Sequence, residues 1–161
     1  MPSDTLTGLP ERPLYTPDER ARRDATIWTV VQGVLAPIQF AVFLISLVLV
    51  IRYMVTGAGY EAATLSIIVK TGILLTIMVT GAIWEKVVFG QYLFAPSFFW
   101  EDVFSFAVIA LHLGYVWALI AGWPTDTQMW IALAAYGAYV INAGQFLWKL
   151  RQARLDAEAR I

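Results

Sequence analysis

Residues Trp28–Ile51 read WTVVQGVLAPIQFAVFLISLVLVI, a run without one charged side chain. About 20 such residues cross the hydrocarbon core of a bilayer as a helix. A helix satisfies its own backbone polar groups there, so the run predicts a membrane-spanning α-helix. Three further apolar runs follow: Ala62–Ile83, Val103–Ala121 and Met129–Leu147. The whole chain is 59% hydrophobic and 14% charged, where soluble domains hold about 45–50% and about 25%. The expected fold is an all-α polytopic membrane protein, with four transmembrane helices in one domain over residues 16–150.

The flanks differ in kind. Residues 1–15 are expected to be a mobile tail, since Met1–Pro13 is rich in Pro, Thr and Gly and has no period. Thr16-Pro17-Asp18-Glu19 reads as a helix start, with Thr16 as N-cap and Glu19 closing a capping box. That short helix brings Arg20, Arg22 and Arg23 to the membrane surface. Residues 151–161 are expected to form a charged helical tail. The polar opening of the chain gives no sign of a signal peptide.

Four spans put both termini and the 84–102 connection on one side. That side holds Arg12, Arg20, Arg22, Arg23, Lys86, Lys149, Arg151, Arg154 and Arg160, and the other only Arg52. The positive-inside rule assigns the first side to the cytoplasm. A net charge of −1 gives no reason to expect nucleic acid. The absence of cysteine excludes disulfides, thiol nucleophiles and cysteine-bound clusters. One histidine cannot ligate a haem from both sides. No phosphate loop, metal-ligand spacing or serine–histidine arrangement is present, and no cofactor is expected.

Within the runs a few polar residues stand out. Gln32, Gln39 and Ser46 recur every seven residues and share a face that should turn toward other helices. Lys70 is costly inside a bilayer, by about 2.5–3.5 kcal/mol on insertion scales. It could meet a substrate carboxylate or snorkel outward. Gly72, Thr76 and Thr80 form a stripe suited to close helix contact. Glu101, Ser105, Val108, His112 and Tyr115 fall on one side of the third span. Ala135, Ala138, Asn142, Gln145 and Lys149 do so in the fourth, and Ser97 could cap the third.

Between the second and third spans lies Trp84–Ser105, WEKVVFGQYLFAPSFFWEDVFS. It sets Glu85, Glu101 and Asp102 among Trp84, Phe94, Phe98, Phe99 and Trp100 at a membrane edge. Aromatics often simply belt the interface, and acids often mark helix N-termini. Together, though, they suit a site that holds a flat apolar molecule and moves a proton.

Three stretches carry a resemblance: TPDERARRDATIWTVVQG at Thr16–Gly33, IVKTGILLTIMVTGAIWEKVVFGQYLFAPSFFWEDVFS at Ile68–Ser105, and AAYGAYVINAGQFLWKLR at Ala134–Arg151. The chain resembles the vinyl bacteriochlorophyllide hydratases of photosynthetic bacteria, from about Leu14 to Leu155. The resemblance implies an enzyme, a hydro-lyase of bacteriochlorophyll synthesis, that adds water to the vinyl group of a magnesium chlorin to give a hydroxyethyl group. It implies a multi-pass protein of the bacterial inner or intracytoplasmic photosynthetic membrane.

On that footing, Glu101 or Glu85 is expected to be the acid, and Asp102 or a second carboxylate to orient the water. His112 could share the proton work or ligate the substrate's magnesium. Lys70, Lys86 or a tail arginine could hold the propionate. Trp84, Phe94, Phe98, Phe99 and Trp100 are expected to receive the ring. Gln39 and Asn142 are candidate contacts, although such residues more often join helices. Expected partners are the chlorin, membrane lipid, and other pigment-synthesis enzymes or a second copy of the chain. The alternative reading is a non-enzymatic scaffold or carrier for a tetrapyrrole or quinone, which the same residues would serve.

Overall fold

Thr16 begins the helical path. In the computed structural model, which describes residues 12–160, its hydroxyl accepts the Glu19 N–H at 3.3 Å, and the Glu19 carboxylate accepts the Thr16 N–H at 2.8 Å. This capping box, with Pro17 in the first turn, launches α1, Pro17–Ala25. Thr16→Ala is expected to cost about 1 kcal/mol, seen as a lower midpoint of thermal unfolding by circular dichroism. An unchanged midpoint would show that α1 adds nothing to global stability. The expected mobile tail lies, through residue 11, outside the described residues. Its last residue, Tyr15, is buried.

Thr26 ends α1, and its hydroxyl caps α2, Ile27–Thr56, by accepting the Trp28 N–H at 3.3 Å. Pro37 sits inside α2 without ending it. Gly57 and Gly59, both with left-handed backbone, make the turn into α3, Tyr60–Phe89. A 3-10 turn at Pro96–Phe98 leads into α4, Phe99–Ile120, and α5 runs Thr125–Ala159. Each 30-residue helix, α2 and α3, is about 45 Å long. A hydrocarbon core is about 30 Å thick, so both helices have ends to spare.

Among the described residues, three helical segments are long and apolar enough to cross a membrane: Ile27–Thr56, Tyr60–Phe89 and Pro96–Ile120. The fourth expected span, in α5, is not among them. Tyr136, Tyr139, Asn142 and Gln145 dilute its apolar run.

Two helical hairpins, α2–α3 and α4–α5, pack across a seam. Phe43, Val50, Ile67, Leu74, Val108, Tyr115, Met129 and Tyr136 fill it. Outward-facing Val30, Val48, Leu65, Val79, Trp117 and Ile120 leave an apolar surface far beyond the patches of a soluble monomer. At one end of the bundle a second cluster forms. Tyr15, Val88, Phe98 and Ala153 pack there with Trp84, Phe89 and Phe146. α1 is tied to this end by Arg22 Nε, which donates to the Val88 carbonyl at 2.9 Å.

Two expectations are corrected. Ser97 does not cap α4. It lies in the 3-10 turn, and its hydroxyl donates to the Leu14 carbonyl at 2.8 Å. The Gly72–Thr76–Thr80 stripe is not a continuous helix contact. Thr80 accepts from Gln32 Nε2 at 2.6 Å, while Gly72 and Thr76 face outward.

Candidate active site

Gly90, with φ +85°, lets the chain leave α3 and fold back over the helix ends. Four residues on, Phe94 takes φ +61°. That region costs an L side chain about 1–2 kcal/mol. The strained turn aims two successive backbone N–H groups at two acids. Phe94 N–H donates to Asp102 Oδ2 at 2.9 Å, and Ala95 N–H to Glu85 Oε2 at 3.4 Å. Strain of this kind persists where surrounding structure holds it, often at functional sites.

Glu85 from α3 and Asp102 from α4 are both buried, each held by one of the two successive N–H groups of this turn. Two carboxylates brought together by one turn repel each other when both are ionised, which favours one proton shared between them. Such a pair can offer both a proton to give and a carboxylate to receive one.

Glu101, one residue before Asp102, has a different environment. Lys149 Nζ reaches its carboxylate at 3.0 Å and also donates to the Ser97 carbonyl. The Glu101 backbone carbonyl accepts from Ser105 Oγ at 2.8 Å and Asn142 Nδ2 at 3.1 Å. Ser105 Oγ also lies 3.0 Å from Asn142 Oδ1, so its one O–H is shared between the two acceptors. Glu101 is thus one half of an ion pair, and Asn142 joins α4 to α5.

The aromatic residues divide into two groups. Trp84 and Phe98 belong to the closed layer at the bundle end. Trp84 Nε1 donates to Thr29 Oγ1 at 2.8 Å, and Phe98 is 2% exposed, with Tyr15, Trp84, Phe89 and Phe146 around it. Phe94, Phe99 and Trp100 remain exposed. Phe94 stacks on Phe106 at 5.6 Å and meets Phe99 at 5.7 Å, and Phe99 meets Trp100 at 5.3 Å. This open aromatic wall stands beside the acid pair, because Phe94 itself holds Asp102. Lys86 flanks the same turn: its Nζ donates to the Gly90 carbonyl at 2.9 Å and lies 5.5 Å from the Tyr92 ring.

Lys70, His112 and Gln39 lie elsewhere, enclosed in the bundle. His112 Nδ1 is 2.8 Å from the Val108 carbonyl, an acceptor, so Nδ1 carries the proton and Nε2 presents a lone pair with no partner among the described residues. Lys70 Nζ sits 3.6 Å from the centre of the Tyr139 ring, with no hydrogen bond among the described residues. Ten residues of α4 separate Asp102 from His112, about 15 Å of helix. The structure therefore has two polar centres.

The sequence did not single out Lys149 as the partner of Glu101, although its place on the Asn142 face was a usable signal. The backbone N–H donors of Phe94 and Ala95 had none.

The profile of the 2-vinyl bacteriochlorophyllide hydratase family matches residues 15–152. The chain belongs to that family. The 2-vinyl bacteriochlorophyllide hydratase of Cereibacter sphaeroides is 72% identical over 155 residues, covering 96% of this chain and 97% of that one. The hydratase of the same name from Rhodobacter capsulatus is 72% identical over 156 residues, covering 94% and 91%. No solved structure matches.

Proposed function

We infer that this chain is a hydratase of bacteriochlorophyll synthesis, adding water to the vinyl group of a chlorin. The placing of Glu85 and Asp102 on successive N–H groups of one turn carries the mechanistic part of this reading. The ring lies against Phe94, Phe99 and Trp100 with its vinyl arm over the acid pair. Lys86, which flanks the same turn, receives the propionate. The protonated member of the pair, assigned as Glu85, gives its proton to the terminal vinyl carbon. The C=C electrons form the new C–H bond, and the cation left on the inner carbon spreads into the macrocycle. Water oxygen bonds to that carbon, and its surplus proton returns to the pair. Two adjacent ionised carboxylates attract that proton strongly, which resets the site.

Glu101 fits the acid role less well. Its carboxylate is already engaged by Lys149 at 3.0 Å. It positions the start of α4, and with it Asp102. Four spans with both termini in the cytoplasm remain the topology proposed, α5 crossing with its polar residues turned to the seam. The membrane is then that of a photosynthetic bacterium, and the substrate reaches the acids from the cytoplasmic edge.

The bare Nε2 of His112 favours a second reading, in which it ligates the substrate's magnesium. The arm of a ring held there would stop short of the acid pair, and reaching His112 would require the hairpins to part. We therefore expect His112→Gln to retain magnesium-chlorin binding and turnover within a few-fold. Loss of binding for the magnesium chlorin, with a magnesium-free chlorin unaffected, would move the site to the seam.

The direct test uses membranes in which this chain is the one added protein. A 3-vinyl chlorophyllide is supplied in isotopically labelled water, and absorbance and product mass are followed. A blue shift with the mass gain of one labelled water supports the hydratase. Pigment bound but unchanged, with the protein folded, supports the scaffold.

A further inference from the structure

Away from the acid pair, α1 and the end of α5 enclose a pocket of about 230 Å³ lined by Arg20, Arg23, Leu150, Ala153, Arg154 and Ala157. Three guanidinium groups stand there over an apolar floor. Among the described residues, Arg20 has no ion pair, and the other two have only local ones. Arg23 meets its neighbour Asp24 at 2.8 Å and faces the Tyr15 ring at 4.6 Å. Arg154 meets Glu158 at 3.2 Å, with both side chains exposed. Exposed pairs of this kind are worth little and exchange readily for a better anion. Guanidinium forks suit the paired oxygens of a phosphate.

The surface leading to the pocket identifies the anion's source. Val140, Leu147, Leu150 and Arg154 fall at i, i+7, i+10 and i+14, one face of α5. The three apolar side chains of this series are exposed. The face is an apolar track that ends in a cationic pocket at the edge of the bundle. A free phosphate or a soluble acidic peptide has no use for the track. A lipid has use for both parts.

We propose that Arg20, Arg23 and Arg154 hold the phosphate headgroup of an anionic phospholipid whose acyl chains run along the Leu150–Leu147–Val140 face. The site is separate from the acid pair, and the proposal does not depend on the hydration chemistry. Its role is to seat α1 and the α5 tail against an anionic membrane surface.

The test uses the full chain in detergent, mixed with equal phosphatidylglycerol and phosphatidylcholine, with retained lipids read by native mass spectrometry. Wild type is expected to retain phosphatidylglycerol over phosphatidylcholine. The Arg20→Gln/Arg154→Gln double variant is expected to lose about 30-fold of that preference, the scale of two surface cations acting on an anionic headgroup. Neither arginine belongs to the acid site, so unchanged turnover and circular dichroism certify the fold of the variant. Equal retention of the two lipids by wild type, or an unchanged preference in the folded variant, overturns the proposal. Displacement of phosphatidylglycerol by excess inorganic phosphate also overturns it, by showing a phosphate site indifferent to acyl chains.

Discussion

Glu85→Gln is expected to slow vinyl hydration by about 10²-fold or more, the usual scale of general acid catalysis, while chlorin binding stays within a few-fold. Glutamine keeps the length of the side chain and an oxygen to accept the Ala95 N–H, so the turn that carries Phe94 keeps its shape. What it removes is the proton shared with Asp102. The effect should appear in kcat rather than KM, since the ring contacts are untouched. Asp102→Asn should also be slow, because an amide cannot take back the water's proton. Glu101→Gln should be the mildest of the three in turnover. Near-normal turnover in Glu85→Gln would remove Glu85 from the site. A large loss in Glu101→Gln with Glu85→Gln active would return the acid role to Glu101. Tritium or deuterium washout at the terminal vinyl carbon distinguishes slow protonation from slow water addition in either case.

Much of this arrangement was legible in the chain itself. Helices in lipid announce themselves by length and apolarity, so α2, α3 and α4 could be placed from the runs alone. The face Glu101–Ser105–Val108–His112–Tyr115 was readable for the same reason: helical spacing fixes direction, and all five side chains are buried. α5 was the harder helix. Its Tyr136, Tyr139, Asn142 and Gln145 serve the seam, and serving the seam makes the run less apolar. Pairing was not legible. Three acids within 18 residues look equivalent in sequence. They become different because the turn after Gly90 places two N–H groups on Glu85 and Asp102, while Lys149, 48 residues from Glu101, arrives from another helix. The division of the aromatics was hidden as well. Phe98 and Phe99 are neighbours, yet one is buried against Trp84 and Phe146 while the other stays open, because α4 starts between them.

The Lys149–Glu101 ion pair yields the largest expected effect on stability. The Glu101 side chain is 8% exposed and that of Lys149 30%, so the two are not equally able to fall back on water. Lys149→Met should strand a buried carboxylate. The cost is expected at about 2–3 kcal/mol, below the 3–5 of a fully buried pair because one partner is part-exposed. It should appear as a lower unfolding midpoint in detergent, together with loosening of the α4 start and a fall in turnover through Asp102. Glu101→Gln should cost less, since the lysine can swing outward. The double variant Glu101→Gln/Lys149→Met should recover most of the loss, giving a favourable coupling in the double-mutant cycle. Simple additivity would mean that the pair contributes nothing to holding α5 against α4. In that case Ser105 and Asn142 alone would position Glu101, and Lys149 would answer only to the Ser97 carbonyl. Recovery of stability without recovery of turnover would be more informative still. It would show that the negative charge of Glu101 helps keep a proton on the neighbouring acid pair, a role in catalysis exercised without contact with the substrate.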